Sequence, residues 1–198
     1  MSTFTANPAN PSIIDSDELP GPLGASALAR MGILVPLDGT GGYLATHADT
    51  VHGRAAIIQS MLPSSAIACA TLALWVWIGG NFPPNLQIIS SSHFRAAVYG
   101  RRIRTFDRKL DERELSRLGR LWITSPARTA CDLACENPAR FREINVINSI
   151  VELIREFGVT VDECLQLLWG KPRWPGHARG IDLMQRIGET QPDLCRQT

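Results

Sequence analysis

Trp122-Ile123-Thr124-Ser125-Pro126-Ala127-Arg128-Thr129-Ala130-Cys131-Asp132-Leu133-Ala134 changes its hydrophobic period within one short run. Trp122 and Ile123 are strand formers. Thr124 or Ser125 offers a hydroxyl to the first free N–H groups of a helix. Pro126 then stands where a missing N–H removes no bond. Arg128 and Asp132 lie one helical turn apart, which predicts an ion pair on the helix surface. Ala130, Leu133 and Ala134 form a short apolar stripe. A strand end therefore runs into a capped helix, the unit from which α/β folds are built.

Upstream, the pattern alternates between helix and strand. Residues 1–20 hold three prolines and few large apolar side chains, so the first ten or so are expected to be mobile. A short helix is predicted over Pro22–Met31, stopped at Gly32. Ile33–Leu37 and Tyr43–Thr46 flank Asp38-Gly-Thr-Gly-Gly42 and read as a hairpin. Helices are predicted over Asp49–Leu62 and, buried, over Ser65–Ile78. Strands follow at Leu86–Ser90 and around Val98–Phe106, and Arg113–Arg120 reads as a charged connection. Downstream, Phe141, Ile144, Ile147, Val151 and Ile154 recur at helical spacing until Gly158. Thr160-Val-Asp-Glu163 is a capping box that opens the next helix. A loop over Trp169–Gly176 and a last helix over Arg179–Ile187 complete the reading. The expected fold is mixed α/β. Residues 1–47 form a tail and a small, reduced winged-helix-like module, and residues 48–198 form a larger α/β domain whose final third is helical.

The chain has 198 residues, 44% apolar and 20% charged, with a net charge of +1. That balance is ordinary for a folded protein with its own core. From Ala55 to Phe94 there is no Asp, Glu, Lys or Arg, but the continuous apolar part, Ala66–Gly80, is shorter than the roughly 20 residues a spanning helix needs. No membrane span is expected, and the N-terminus lacks the basic and apolar regions of a signal peptide. The five cysteines, at 69, 131, 135, 164 and 195, read as reduced thiols of a cytoplasmic protein.

Catalytic chemistry is sparse. The histidines at 47, 52, 93 and 177 are far apart, and no spacing suits a metal. Asp15-Ser-Asp17, the one Asp-x-Asp, lies in the proline-rich tail and reads as a turn or helix cap. Lys109 and Lys171 are the only lysines, and neither follows a glutamate at the spacing of the Glu-x-Lys half of a restriction-type nuclease site, the residue two before Lys109 being Asp107. Catalytic residues, cofactors, metals and tightly bound nucleotides are therefore not expected.

Charge is unevenly distributed. Residues 1–50 set Arg30 against Asp15, Asp17, Glu18, Asp38 and Asp49. Residues 95–128 carry ten basic side chains against Asp107, Asp111, Glu112 and Glu114. Phosphate contacts supply most nonspecific affinity for nucleic acid, so Arg101, Arg102, Arg104, Arg108 and Lys109 are the expected nucleic-acid-binding residues. The alternative is a solvated strand edge, where basic side chains discourage edge-to-edge association.

The whole string from Ile123 to Ala134 resembles the Thr-Ser-Pro-x-Arg-Thr-x-x-Asp-Leu-Ala signature of AbiEi-like antitoxins, with Thr124, Ser125, Pro126, Arg128, Thr129 and Asp132 in the motif positions. The resemblance extends over about residues 20–188, including Val159–Leu165. It implies a winged-helix N-domain, an α/β antitoxin domain and no enzymatic activity. It further implies repression of the protein's own operon by binding operator DNA. The implied target is a nucleotidyltransferase-like toxin of a type IV toxin–antitoxin pair, neutralised without a lasting complex. Some relatives carry a nuclease downstream, which this chain is expected to lack. A second reading is an interaction module of the same family that has lost DNA binding and acts through protein contacts. A cryptic nucleic-acid-processing enzyme is a third, disfavoured by the missing acid clusters.

Overall fold

A computed structural model describes residues 12–19, 21, 23–92, 94, 96–137, 139 and 145–195. The fold is mixed α/β, with two sheets and seven α-helices among these residues. The expectations placed on residues 1–10, Pro22, His93, Arg95, Phe141 and Ile144 lie outside the described residues.

The first sheet is small. β1 (Ile13–Asp15), β2 (Leu34–Pro36) and β3 (Gly41–Leu44) pair antiparallel in the order β1-β3-β2. The β2–β3 hairpin closes where the Asp38 carboxylate accepts the Thr40 and Gly41 N–H groups at 2.8 and 3.2 Å. Helix α1 (Gly24–Arg30) precedes it. β1 corrects the reading of residues 1–20 as tail alone: three residues are too few to show a period. Asp15 ends β1, and its N–H reaches Glu18 Oε2 at 3.4 Å across a 3-10 turn, so Asp15 does serve as a cap.

The second sheet has five strands in the order β6-β5-β4-β8-β7. They are β4 (Ile67–Ala68), β5 (Asn85–Ile89), β6 (Arg102–Phe106), β7 (Leu115–Leu118) and β8 (Leu121–Thr124). β4 runs parallel to β8 and antiparallel to β5, and β5 runs parallel to β6. Two strands correct the sequence reading. Ile67–Ala68 lies within a run read as one helix from Ser65, because a short apolar run fits a buried strand and a buried helix equally. Leu115–Leu118 lies within the charged connection and forms a hairpin with β8.

α2 (Val51–Met61) is capped by the Thr50 hydroxyl, which accepts the Gly53 N–H, rather than by Asp49. α3 (Ala70–Ile78) is buried over most of its surface. Its Gly79 cap N–H holds Trp75 O, and Arg54 reaches across from α2 to the carbonyls that follow. Its guanidinium donates to Val76 O and Trp77 O, both at 2.8 Å, and to Ala48 O at 2.7 Å. No helix among the described residues is long and apolar enough to cross a membrane.

α4 (Pro126–Cys135) is the motif helix and the hub of the helical part, touching α3, α5 (Val146–Phe157), α6 (Val161–Trp169) and α7 (His177–Thr190). Gly158 ends α5 in the left-handed conformation, and the Thr160–Glu163 capping box opens α6 as its sequence predicts. One apolar core joins both sheets to the helices, and Tyr43 of β3 meets Trp75 and Phe82 edge to face or tilted.

Candidate functional site

The motif helix begins as its residues dictate. Ser125 caps it, its hydroxyl accepting the Arg128 N–H at 3.3 Å, and Pro126 fills the first turn. Thr124 does not cap. Its hydroxyl lies 2.8 Å from that of Thr129, which also reaches Thr124 O at 3.2 Å, and this knots the end of β8 to the first turn of α4.

Arg128 and Asp132 do pair, at 3.3 Å, but the pair is buried, not on the surface. This corrects the sequence reading. The outward face of α4 is covered by elements distant in sequence. The 3-10 turn before β7 brings Glu114, whose carboxylate meets Arg128 Nη1 at 2.6 Å and also pairs with Lys171 Nζ. The segment after β6 brings Arg108, with Nη1 2.5 Å from Asp132 Oδ1. The loop after α6 brings Trp174, whose ring lies beneath the Arg128 guanidinium at 3.9 Å from the centroid. Arg128 and Glu114 are 2% and 0% exposed. Two buried carboxylates are thus held by Arg108, Arg128 and Lys171.

The carboxylates differ in their surroundings. Burial would raise Glu114. The Asp111 N–H and the charges of Lys171 and Arg128 outweigh it, so its carboxyl sits below the usual range. Burial pushes the Asp132 carboxyl up, against the pull of Arg128 and Arg108. Asp132 Oδ2 and Trp174 Nε1 are buried with no hydrogen-bond partner among the described residues.

Two clefts open beside this cluster, sharing Asp107, Arg108 and Pro175. The first, of about 460 Å³, lies against the end of α4 and the start of α7. Its arginines, 104, 108 and 179, face Asp107, Asp132 and Glu136. The second, of about 520 Å³, lies against the loop after α6. It is lined by Arg108, Lys109, Arg128, Lys171 and Arg173, with Asp107 the one acid.

The five basic residues singled out from sequence do not form one stripe. β6 is the edge strand of its sheet. Arg104 pairs with Glu136 at 3.3 Å and stacks on Phe106. Arg108 is committed to Asp132 and stacks on Phe106. The Arg101 guanidinium lies over Phe82. Arg102 and Lys109 are exposed and have no ion-pair partner among the described residues. Sequence reasoning missed Glu114, Lys171, Arg173 and Trp174. Glu114 sat in a stretch read as a connection, and the other three in a stretch read only as a loop.

All five cysteines are free, and no group of metal-binding side chains occurs among the described residues. Compared with known family models, curated proteins and solved structures, the chain matches none.

Proposed function

We propose that this protein is a non-enzymatic antitoxin and transcriptional autoregulator of a type IV toxin–antitoxin operon, acting in the cytoplasm against a nucleotidyltransferase-like toxin. The observation that carries this reading is the use made of the motif. Its two threonines bond to each other, its serine caps α4, and its arginine is locked between two carboxylates. A motif spent on internal bonds is a scaffold, and a scaffold signature suits a regulator better than an enzyme. The test is growth of cells expressing the neighbouring toxin gene with and without this chain. Rescue is expected. Soluble, folded protein that gives no rescue overturns the reading.

A second reading, an interaction module without DNA binding, is favoured by one observation. Three of the five basic residues are engaged within the molecule, which leaves Arg102 and Lys109 to meet phosphates. Two phosphate contacts give a salt slope of log K near −1.8, since each contributes about −0.9. Operator binding that disappears in Arg102→Ala/Lys109→Ala supports the regulator. Rescue without operator binding at any salt supports the module. A steep slope lost with Arg30→Ala places the contacts at α1 instead.

A further inference from the structure

We propose that the second cleft, between the segment after β6 and the loop after α6, binds a small phosphate-bearing ligand. This runs against the sequence-based expectation that no nucleotide binds tightly, and the inference stands apart from the antitoxin reading. The two clefts differ in charge balance. In the first, three arginines face three acids, so an arriving anion gains little. In the second, Asp107 is the one acid in the lining; Asp132, Glu114 and Asp111 pair with Arg108, Arg128 and Lys171 from outside it, which leaves Lys109 and Arg173 unmatched among the described residues.

The second cleft is also built in two tiers. Arg108 and Lys171 form its inner wall and are fixed from behind by Asp132 and Glu114, while Arg128, buried with its donors held by the same two carboxylates, adds positive charge to the wall. Held cations need no reordering when a ligand arrives, which removes part of the entropy cost of binding. Lys109 and Arg173 form the rim, one from each side. Both are exposed and unpaired among the described residues, so they can close on the ligand. Trp174 lines the cleft, and its buried indole N–H has no acceptor among the described residues, which makes it a sensitive reporter of occupancy. Phosphate suits this set better than carboxylate: it offers three acceptor oxygens and up to two charges to arginine forks and lysine point charges. The volume fits a small ligand such as a nucleoside phosphate.

The experiment is a titration of the full chain at low salt with inorganic triphosphate and, separately, with ATP, read by calorimetry and by the tryptophan indole N–H resonances. Trp174→Phe assigns the Trp174 signal. Saturable binding that moves that signal is expected. Lys109→Gln/Arg173→Gln, both surface changes, should weaken it by about tenfold or more, since a charge-assisted bond to phosphate is lost at each position. Tighter binding of ATP than of triphosphate identifies the ligand as a nucleotide, and equal binding as the phosphate anion itself. No binding of either probe at about 5 mM overturns the proposal, because affinity weaker than that is below about 3 kcal/mol. Binding that is unchanged in the double variant, or a response only to a short DNA duplex, overturns it as well.

Discussion

Replacing Arg128 with Met removes the centre of the buried cluster while keeping most of its volume. The side chain is 2% exposed and meets Glu114 at 2.6 Å, Asp132 at 3.3 Å and the Trp174 ring at 3.9 Å. Breaking a buried ion pair costs about 3–5 kcal/mol, because the surviving charge stays in a poor solvent. Losing a desolvated cation–π contact costs about 2 kcal/mol more. Two partners limit the damage. Glu114 keeps Lys171 and Asp132 keeps Arg108, so neither carboxylate is stranded. The net expectation is therefore about 3 kcal/mol. With a urea m-value near 2 kcal/mol/M, the unfolding midpoint should fall by about 1.5 M. Far-ultraviolet circular dichroism and tryptophan fluorescence, followed together through a urea titration at pH 7, measure it. Arg128→Lys keeps the charge but not the planar fork, and should cost about 1–2 kcal/mol. A midpoint shift below about 0.5 M for Arg128→Met would mean that the cluster contributes little net stability and that the reasoning is wrong.

Three further outcomes are expected. The lowered carboxyl of Glu114 contributes stability that is present above its unfolded value, about 4.3, and lost as pH falls through the lowered folded value. Asp132, raised by burial, contributes in the opposite direction, gaining stability as pH falls through its raised folded value. Urea midpoints measured from pH 7 down to 3 should therefore show a flatter acid loss in Glu114→Gln and a steeper one in Asp132→Asn. Arg54→Met frees three carbonyls that its guanidinium now holds, two of them at the end of α3, and should cost about 3 kcal/mol in the same titration. Gly176 caps α7 at φ 80°, and a Cβ there would lie 2.0 Å from Cys135 O, so Gly176→Ala should cost at least about 3 kcal/mol and lower the thermal midpoint markedly.

Local signals in the chain were legible and distant ones were not. The start of α4 after Thr124 or Ser125, the Gly158 stop and the Thr160–Glu163 box depend on residues within four positions of one another, and sequence reading places them well. β1, β4 and β7 were missed for three different physical reasons. β1 is too short to show a period. β4 lies in an apolar run that suits helix and buried strand alike. β7 is an edge strand whose only large apolar residues are Leu115 and Leu118.

The pairing of Arg128 with Asp132 was legible from their spacing, but its burial was not. The covering groups come from Glu114, fourteen residues before Arg128, and from Lys171 and Trp174 after α6. Charge shows the same division. Counted along the sequence, residues 95–128 look like one basic band. In space, acids from the 3-10 turn before β7 and from α4 and its C-cap neutralise Arg104, Arg108 and Arg128. Positive charge then reappears in a place that order along the chain does not show, because Lys109 and Arg173 line one cleft only when the loop after α6 folds beside the end of β6. Electrostatic energy depends on distance and burial, not on order along the chain. A surface that binds an anion is therefore found by removing the cations already paired within the fold and locating those that remain.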